Sequence, residues 1–303
     1  MIRLRALVLG AAAGGGLPQW NCGCENCIRA RRGDLPSLTQ SSLAVSADGE
    51  HWAVLNASPD IRAQLAQNPQ LHPTGPRISP IASVLVTNGD IDHVAGLLTL
   101  REKQAFTLFG TAEILEVIGA NPIFGALDRE LVARRPVALD APFELAPGLR
   151  ATLFATPGKV PLYLEGQAGG DAVQTDLEGE QTVGVRLDAG DATAFYIPGC
   201  ARMTESLAHR LRGAEMVLFD GTVWRDDEMI RAGVGAKTGA RMGHMAMSGP
   251  EGSIAAFAPL DVRRKVFVHM NNTNPALDPR SAERAEAEAA GWTIAQDGME
   301  FEL

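Results

Sequence analysis

The sequence predicts an α/β fold in which layered sheets carry helices on their outer faces. Three observations lead there. Short apolar runs of strand length, bounded by Gly, Pro or polar residues, recur in both halves of the chain. Each half also carries segments of helical spacing, so helices and sheets share one architecture. Apolar residues make up 46% of 303 residues and charged residues 21%, enough to bury a sizeable core and to exclude wholesale disorder. No fixed-period repeat, low-complexity tract or credible linker interrupts the chain, so residues 1–303 are read as a single domain.

The elements follow in order. Ile2 to Leu9 alternates as a strand and runs into the loop Gly10 to Gly16, which lacks the spacing of a dinucleotide fingerprint. Ser42–Val45 and Trp52–Asn56 form a strand pair about the turn Asp48-Gly49. Ser58, as N-cap, and Pro59, as first helical residue, open a short helix. Ile81–Thr87 is a continuous apolar run, as in a strand buried on both faces. Val94, Leu97, Leu98 and Arg101 then keep helical spacing. Phe106–Phe109 is a strand and Ala112–Ile118 a helix. Strands are expected at Ala151–Ala155, Thr182–Leu187 and Ala194–Ile197, a helix at Glu205–Leu211, and strands at Met216–Phe219 and Val266–His269. Gly166–Glu180 is a polar, Gly-rich long loop, Ser281–Ala290 a strong helix former, and Met299–Leu303 a last strand.

Composition narrows the partners. The 27 basic and 36 acidic residues leave a formal charge of −9, without the overall basic footprint of a nucleic-acid binder. Aromatic residues are 5%, so no stacking platform for single strands is evident. No apolar run is long enough for a transmembrane helix. Arg3 and Arg5 before Ala6–Gly14 imitate a weak signal peptide, but the apolar residues alternate with arginine as in a strand, so a cytoplasmic chain is expected. Four cysteines in a chain of this length are not a disulfide scaffold.

Two clusters carry chemistry. Cys22, Cys24 and Cys27 place three thiols within six residues, a spacing that lets one loop present all three sulfurs to a soft ion such as zinc. The local sequence supplies no fourth ligand. Cys200, alone, reads as a small buried residue. Asn88-Gly89-Asp90-Ile91-Asp92-His93 lies where a buried strand gives way to a helix, the position at which sites gather in layered α/β folds. Packing does not explain Asp90, Asp92 and His93 together.

This segment resembles the H-x-H-x-D-H loop of the metallo-β-lactamase superfamily. Val54–Ile61 resembles the strand and turn before it, Thr156-Pro157-Gly158 the T-P-G-H motif, Phe219-Asp220-Gly221-Thr222 the bridging-aspartate strand, and Val268-His269 the last histidine strand. The cysteine cluster, with T-N-G-D-I-D-H-V-A-G-L-L, Y-I-P-G-C, F-D-G-T-V-W-R-D-D-E-M, M-G-H-M-A-M-S-G and H-M-N-N-T-N-P, is similar over nearly the full length to the pyrroloquinoline quinone (PQQ) biosynthesis protein B family. The resemblance implies a four-layer αββα sandwich with a metal site at one edge. It also implies an iron-dependent hydroxylase acting on the tyrosine ring of a Glu–Tyr-derived intermediate.

The departures from the superfamily pattern matter most. Where a dinuclear hydrolase needs histidines, this chain has Asn88, Asp90 and Lys159. An amide and a carboxylate weaken a zinc site, and a lysine ammonium opposes a cation by Coulomb repulsion. Asp92, His93 and His269 remain, with Asp220 nearby as an expected catalytic residue that completes the metal shell or accepts a proton. Two imidazoles and one carboxylate with open positions is the donor set of a non-haem iron(II) oxygenase. His244, between glycine and methionine, is expected to transfer a proton or bind substrate. Trp224, Lys159, Asp90 and Arg241 are expected to contact an acidic substrate, with Lys237 and Arg225 close by. Arg29, Arg31 and Arg32 read as surface charge, and His51, His72 and His209 as surface histidines. Asn271, Asn272 and Asn274 are expected to orient His269 through hydrogen bonds. Asn272 also falls where related phosphodiesterases place a fourth zinc ligand, although an amide oxygen is a poor one. The expected cofactors are Fe(II) at the active site and structural Zn(II). The expected partner is a Glu–Tyr-type substrate or PQQ itself, with no nucleic acid, no membrane and a homo-oligomer open. Two alternatives stand beside the hydroxylase: a non-catalytic PQQ carrier and a two-zinc hydrolase.

Overall fold

A computed structural model describes residues 3–161, 164 and 175–303. Two seven-stranded sheets form its frame. The first contains β1 (Arg5–Gly10), β2 (Ser42–Ser46), β3 (Trp52–Leu55), β4 (Ile81–Leu85), β5 (Phe106–Gly110) and β6 (Val132–Pro136). The second contains β7 (Phe143–Ala146), β8 (Leu149–Ala155), β9 (Val183–Ala189), β10 (Ala192–Ile197), β11 (Met216–Asp220), β12 (Arg264–Val268) and β13 (Trp292–Ile294). The last strand, β14 (Glu300–Glu302), returns to the first sheet beside β1. The orders are β14-β1-β2-β3-β4-β5-β6 and β13-β12-β11-β10-β9-β8-β7.

The two sheets share one plan. In the first, β14 through β3 pair antiparallel and β3 through β6 parallel. In the second, β7 through β10 pair antiparallel and β10 through β13 parallel. Apolar side chains from both sheets form one buried cluster, including Leu43, Val54 and Leu85 on one side and Leu153, Val185 and Phe219 on the other. Polar links also cross it, such as the Ser83 hydroxyl donating to the Leu145 carbonyl at 2.6 Å. Helices flank the sheets, giving the αββα sandwich that the sequence resemblance implies. Among the described residues no helix is long and apolar enough to cross a membrane.

Most expected elements are present with shifted ends. The first strand starts at Arg5, and Ile2 lies outside the described residues. The helix expected from Pro59 begins at Ile61 as α2 (Ile61–Gln67), after α1 (Glu25–Arg32). Ser58 instead builds the turn before it, accepting from the Asp60 amide at 3.2 Å and donating to Gln64 at 3.1 Å. The helix expected around Val94 splits into α3 (Ile91–Val94) and a tighter 3₁₀ segment, Ala95–Arg101. Gly96 lies so close to the previous turn that a Cβ would stand 2.1 Å from the Ser58 carbonyl oxygen. Further helices are α4 (Ala112–Ala120), α5 (Glu205–Leu211), α6 (Glu228–Arg231), α7 (Gly239–Met242), α8 (Ser253–Phe257) and α9 (Ala282–Ala289). The sequence reading left out α1, α6, α7 and α8, and the strands β6, β7 and β13. Most of the expected loop Gly166–Glu180 lies outside the described residues.

Candidate metal centre

The parallel strands of both sheets deliver their C-terminal ends to one edge of the sandwich. Past β4 the chain reaches Thr87, whose amide donates to Asn56 Oδ1 at 2.9 Å while Asn56 Nδ2 donates to the Thr87 hydroxyl at 3.0 Å. Asn88 Oδ1 accepts from the Asp90 amide at 3.0 Å, which turns the chain so that Asp92 and His93 fall within α3. From the other sheet, β12 ends at Val268 and His269 takes φ +57°. That left-handed conformation costs a side-chain-bearing residue about 1–2 kcal/mol. It is fixed on both sides by the Met270 amide on Ala11 O and the Gly221 amide on Val268 O, each at 2.8 Å.

Asp92, His93 and His269 thereby converge, each offering a ligand atom within 4.8 Å of the others. Asp92 Oδ2 stands 3.2 Å from His269 Nε2 and 3.7 Å from His93 Nε2. All three are buried or nearly so, and the two imidazoles meet edge to face at 5.4 Å. His93 Nε2 is buried without a hydrogen-bond partner among the described residues. A buried lone pair aimed at a carboxylate oxygen is costly unless a cation lies between them. The residues present therefore fit a divalent ion held by two nitrogens and one oxygen.

Electrostatics agree with the geometry. Burial alone would raise the Asp92 carboxyl, yet His93 and His269 beside it hold it below the ordinary carboxylate range. Burial pushes His93 down to about 4, so its imidazole is neutral at pH 7 and available as a ligand. His269 is moved the other way: burial lowers it, but Asp92 and Asp220 outweigh that and raise it.

Thr222 is the hub behind this centre. Its hydroxyl lies 2.6 Å from Asp220 Oδ1, 2.8 Å from His269 Nδ1 and 3.1 Å from His244 Nδ1. One hydroxyl proton given to the Asp220 carboxylate leaves the oxygen to accept from His269 Nδ1–H, which frees Nε2 for a metal. Asp220 is fully buried and also accepts from the Cys200 amide at 2.9 Å and the Thr222 amide at 3.0 Å. Its Oδ2 stands 2.6 Å from His244 Nδ1, and the His244 ring stacks on His269 at 5.1 Å. Burial would raise the Asp220 carboxyl, but His244 foremost holds it low. Sequence reasoning quoted Thr222 only as a neighbour of Asp220. A threonine carries no signal of its own role until the fold brings two histidines to it.

The three replaced positions also meet. Lys159 Nζ lies 3.9 Å from Asp90 Oδ1, and the Lys159 side chain is largely buried. A fixed ammonium–carboxylate pair thus joins two of the places where a hydrolase keeps histidines. Asn88 is committed to the turn.

The cysteine loop forms the second candidate. The sulfurs of Cys22, Cys24 and Cys27 lie within 4.8 Å of one another. The Asn272 amide nitrogen caps all three, at 3.2, 3.4 and 3.2 Å. Asn26 fixes this segment by donating to the carbonyls of Asn272 and Asn274, each at 3.0 Å. Burial pushes the Cys24 thiol up to about 12, a charge state that a bound metal reverses. Two arginines expected as plain surface charge hold the loop. Arg29 pairs with Asp278 at 2.7 Å, and Arg31 donates to the carbonyls of Cys22 and Gln19, each at 2.6 Å. Asn272 therefore serves the cysteine loop rather than His269. Asn274 Nδ2 donates to Gly221 O at 2.9 Å, and Asn271 Nδ2 to Thr273 at 2.6 Å. Cys200 is buried, as expected.

A cavity of about 1120 Å³ opens at His244 and is walled by Trp224, Met203 and Met245. Trp224 is almost fully buried, with its amide donating to Glu228 Oε2 at 2.6 Å. Burial pushes that glutamate up to about 7. Arg241 sits on α7 and does not line the cavity, so its expected substrate contact is not placed there. Of the remaining histidines, His51 pairs with Asp48 at 2.8 Å, His72 meets the Ala66 carbonyl at 3.0 Å and His209 lies on α5.

A family model described as a beta-lactamase superfamily domain matches residues 51–270. The coenzyme PQQ synthesis protein B of Ruegeria pomeroyi is 61% identical over 300 residues, covering 99% of this chain and 100% of that one. Its counterpart in Gluconacetobacter diazotrophicus is 57% identical over 302 residues, covering 97% of each. The crystal structure of zinc-bound PqqB from Methylobacterium extorquens superposes with a TM-score of 0.96 at 55% identity, over 99% of this chain and 100% of that one. A diphosphatase of the PhnP family shares the fold, with a TM-score of 0.70 at 18% identity over 100% and 98% of the two chains.

Proposed function

Since the chain belongs to the coenzyme PQQ synthesis protein B family, within the beta-lactamase superfamily, we propose that it acts in PQQ synthesis as an iron(II)- and oxygen-dependent hydroxylase. Its substrate in this reading is the tyrosine ring of a Glu–Tyr-derived intermediate. The observation that carries the reading is the trio Asp92, His93 and His269 with the orphaned His93 Nε2. Asp92, His93 and His269 would hold the iron, which would supply the redox chemistry with dioxygen that zinc lacks. The Lys159–Asp90 pair weighs against a second, hydrolytic metal.

The chain's own residues do the rest. Asp220 holds His244 by Nδ1, so the opposite edge of that imidazole is left for the cavity. A ring hydroxyl of the substrate placed there would lose its proton to His244 Nε2. Trp224, Met203 and Met245 give that end of the cavity an apolar wall. The cysteine loop, in the same reading, holds zinc for stability and takes no part in turnover.

The reaction takes two electrons from an added reductant and releases the second oxygen atom as water. The test is therefore anaerobic reconstitution with iron(II), followed by oxygen, a two-electron reductant such as ascorbate and a Glu–Tyr-type substrate, with mass spectrometry of the product. The expected result is a gain of one oxygen, lost together with iron in His93→Ala. Unchanged product mass with tight binding of PQQ would replace this reading with that of a carrier.

A further inference from the structure

The cavity beside His244 has a charge pattern that the sequence did not announce. Five basic or acidic residues line it: Arg202, Arg225, Asp226, Glu251 and Glu286. Two of them are already engaged. Arg202 is met from outside by Asp176 at 3.3 Å and Glu178 at 3.9 Å. Asp226 Oδ1 accepts from the Ala240 amide at 2.7 Å. Among the described residues no hydrogen bond or ion pair engages the side chains of Arg225, Glu251 or Glu286. Among the described residues the cavity wall therefore offers one uncommitted guanidinium and two uncommitted carboxylates, all three on exposed residues, together with the apolar side chains of Trp224, Met203 and Met245.

A purely anionic ligand would gain from Arg225 but would be repelled by both glutamates. A purely cationic one would face the reverse. A ligand bearing carboxylate and ammonium groups on an aromatic body satisfies all of them at once. Its carboxylate would pair with the guanidinium, its ammonium with a glutamate carboxylate, and its ring would meet the apolar wall. The volume of about 1120 Å³ is ample for a two-residue amino-acid derivative.

We propose that this cavity is a recognition chamber for an amphoteric amino acid, in which Arg225 anchors a carboxylate and Glu251 with Glu286 select a free ammonium group. The proposal rests on the hydroxylase reading for the reaction that follows, but not for binding itself. It implies that the chamber accepts an intermediate still carrying its amine and disfavours a tricarboxylate that has lost it.

The experiment is calorimetric titration of the metal-loaded full chain with three probes: the dipeptide Glu–Tyr, its N-acetyl form, and PQQ. The expected order is Glu–Tyr tightest, with acetylation weakening binding at least tenfold. Arg225→Ala should weaken Glu–Tyr and its acetylated form alike by at least tenfold, with Arg225→Lys in between. Glu251→Gln with Glu286→Gln should abolish the difference between the free and acetylated dipeptides. Equal binding of the two dipeptides, PQQ as the tightest ligand, an unresponsive Arg225→Ala, or no binding at all would each overturn the assignment. Because the readout is heat of binding, this result is independent of oxygen incorporation, on which the hydroxylase reading stands or falls.

Discussion

A single hydroxyl organises three partners at this site. Thr222 lies within 3.1 Å of Asp220, His244 and His269 together, and its geometry selects which nitrogen of His269 is bare. Valine has nearly the same shape but neither donates nor accepts. Thr222→Val should therefore leave the fold intact while lowering iron(II) affinity by about 10–100-fold, the usual effect of removing a partner behind a metal ligand. Thr222→Ser should restore most of it. Competition against a fluorescent chelator measures the affinity; an unchanged value in Thr222→Val would show that His269 is oriented by its backbone alone. Much of this centre was legible beforehand. Asp92, His93 and His269 stand out because acids and histidines at a strand end have no packing role. Thr222 was not legible, because threonine is common in strands and turns and its partners arrive from distant parts of the chain.

At the scale of elements, the cysteine loop shows how a short helix is recruited to stabilise a site. Glu25–Arg32 follows Cys24 directly, and its Arg29 reaches Asp278 near the C-terminal end of the chain. The hydrogen bond from Arg29 holds the Asp278 carboxyl down at about 2. A carboxyl lowered on folding adds stability that is complete above its ordinary value near 4 and is lost as pH falls through about 2. Thermal melts from pH 5 to pH 2 should therefore fall less steeply in Asp278→Asn than in the unmodified protein. Parallel curves would mean that the ion pair is not maintained in solution. The same element explains a limit of sequence reading. The helix carries charges at four of its eight positions, with little apolar periodicity to mark it, and it exists because Asn26, Cys27 and Ala30 are buried against the loop. Similarly, β6 reads Val-Ala-Arg-Arg-Pro and is an edge strand with mostly exposed side chains. The continuous run Ile81–Leu85, buried between neighbours, was plain from the start.

On the scale of the whole molecule, the sandwich places its candidate metal between two structural halves. Asp92 and His93 follow a strand of the first sheet, and His269 follows a strand of the second. An ion bound by all three is a bridge between sheets, and its binding energy adds to folding. Iron(II) added anaerobically at about 100 times its dissociation constant should contribute about 2.7 kcal/mol, a rise in melting temperature on the order of 5 °C. His269→Ala should melt at a temperature indifferent to iron. A rise of equal size in that variant would locate the stabilising ion elsewhere.

The fully buried Asp220 is positioned by amides of two different crossings, Cys200 after β10 and Thr222 after β11, and it in turn sets His244. The Thr222 bond is local, but the Cys200 bond exists only once β10 and β11 lie side by side. Asp92 and His93 follow β4 and His269 follows β12, so an ion held by all three needs both sheets in place. Metal acquisition in such a design reports finished assembly. A partly built molecule would lack one side of the trio, so the architecture ties metal retention to completed docking of the two sheets.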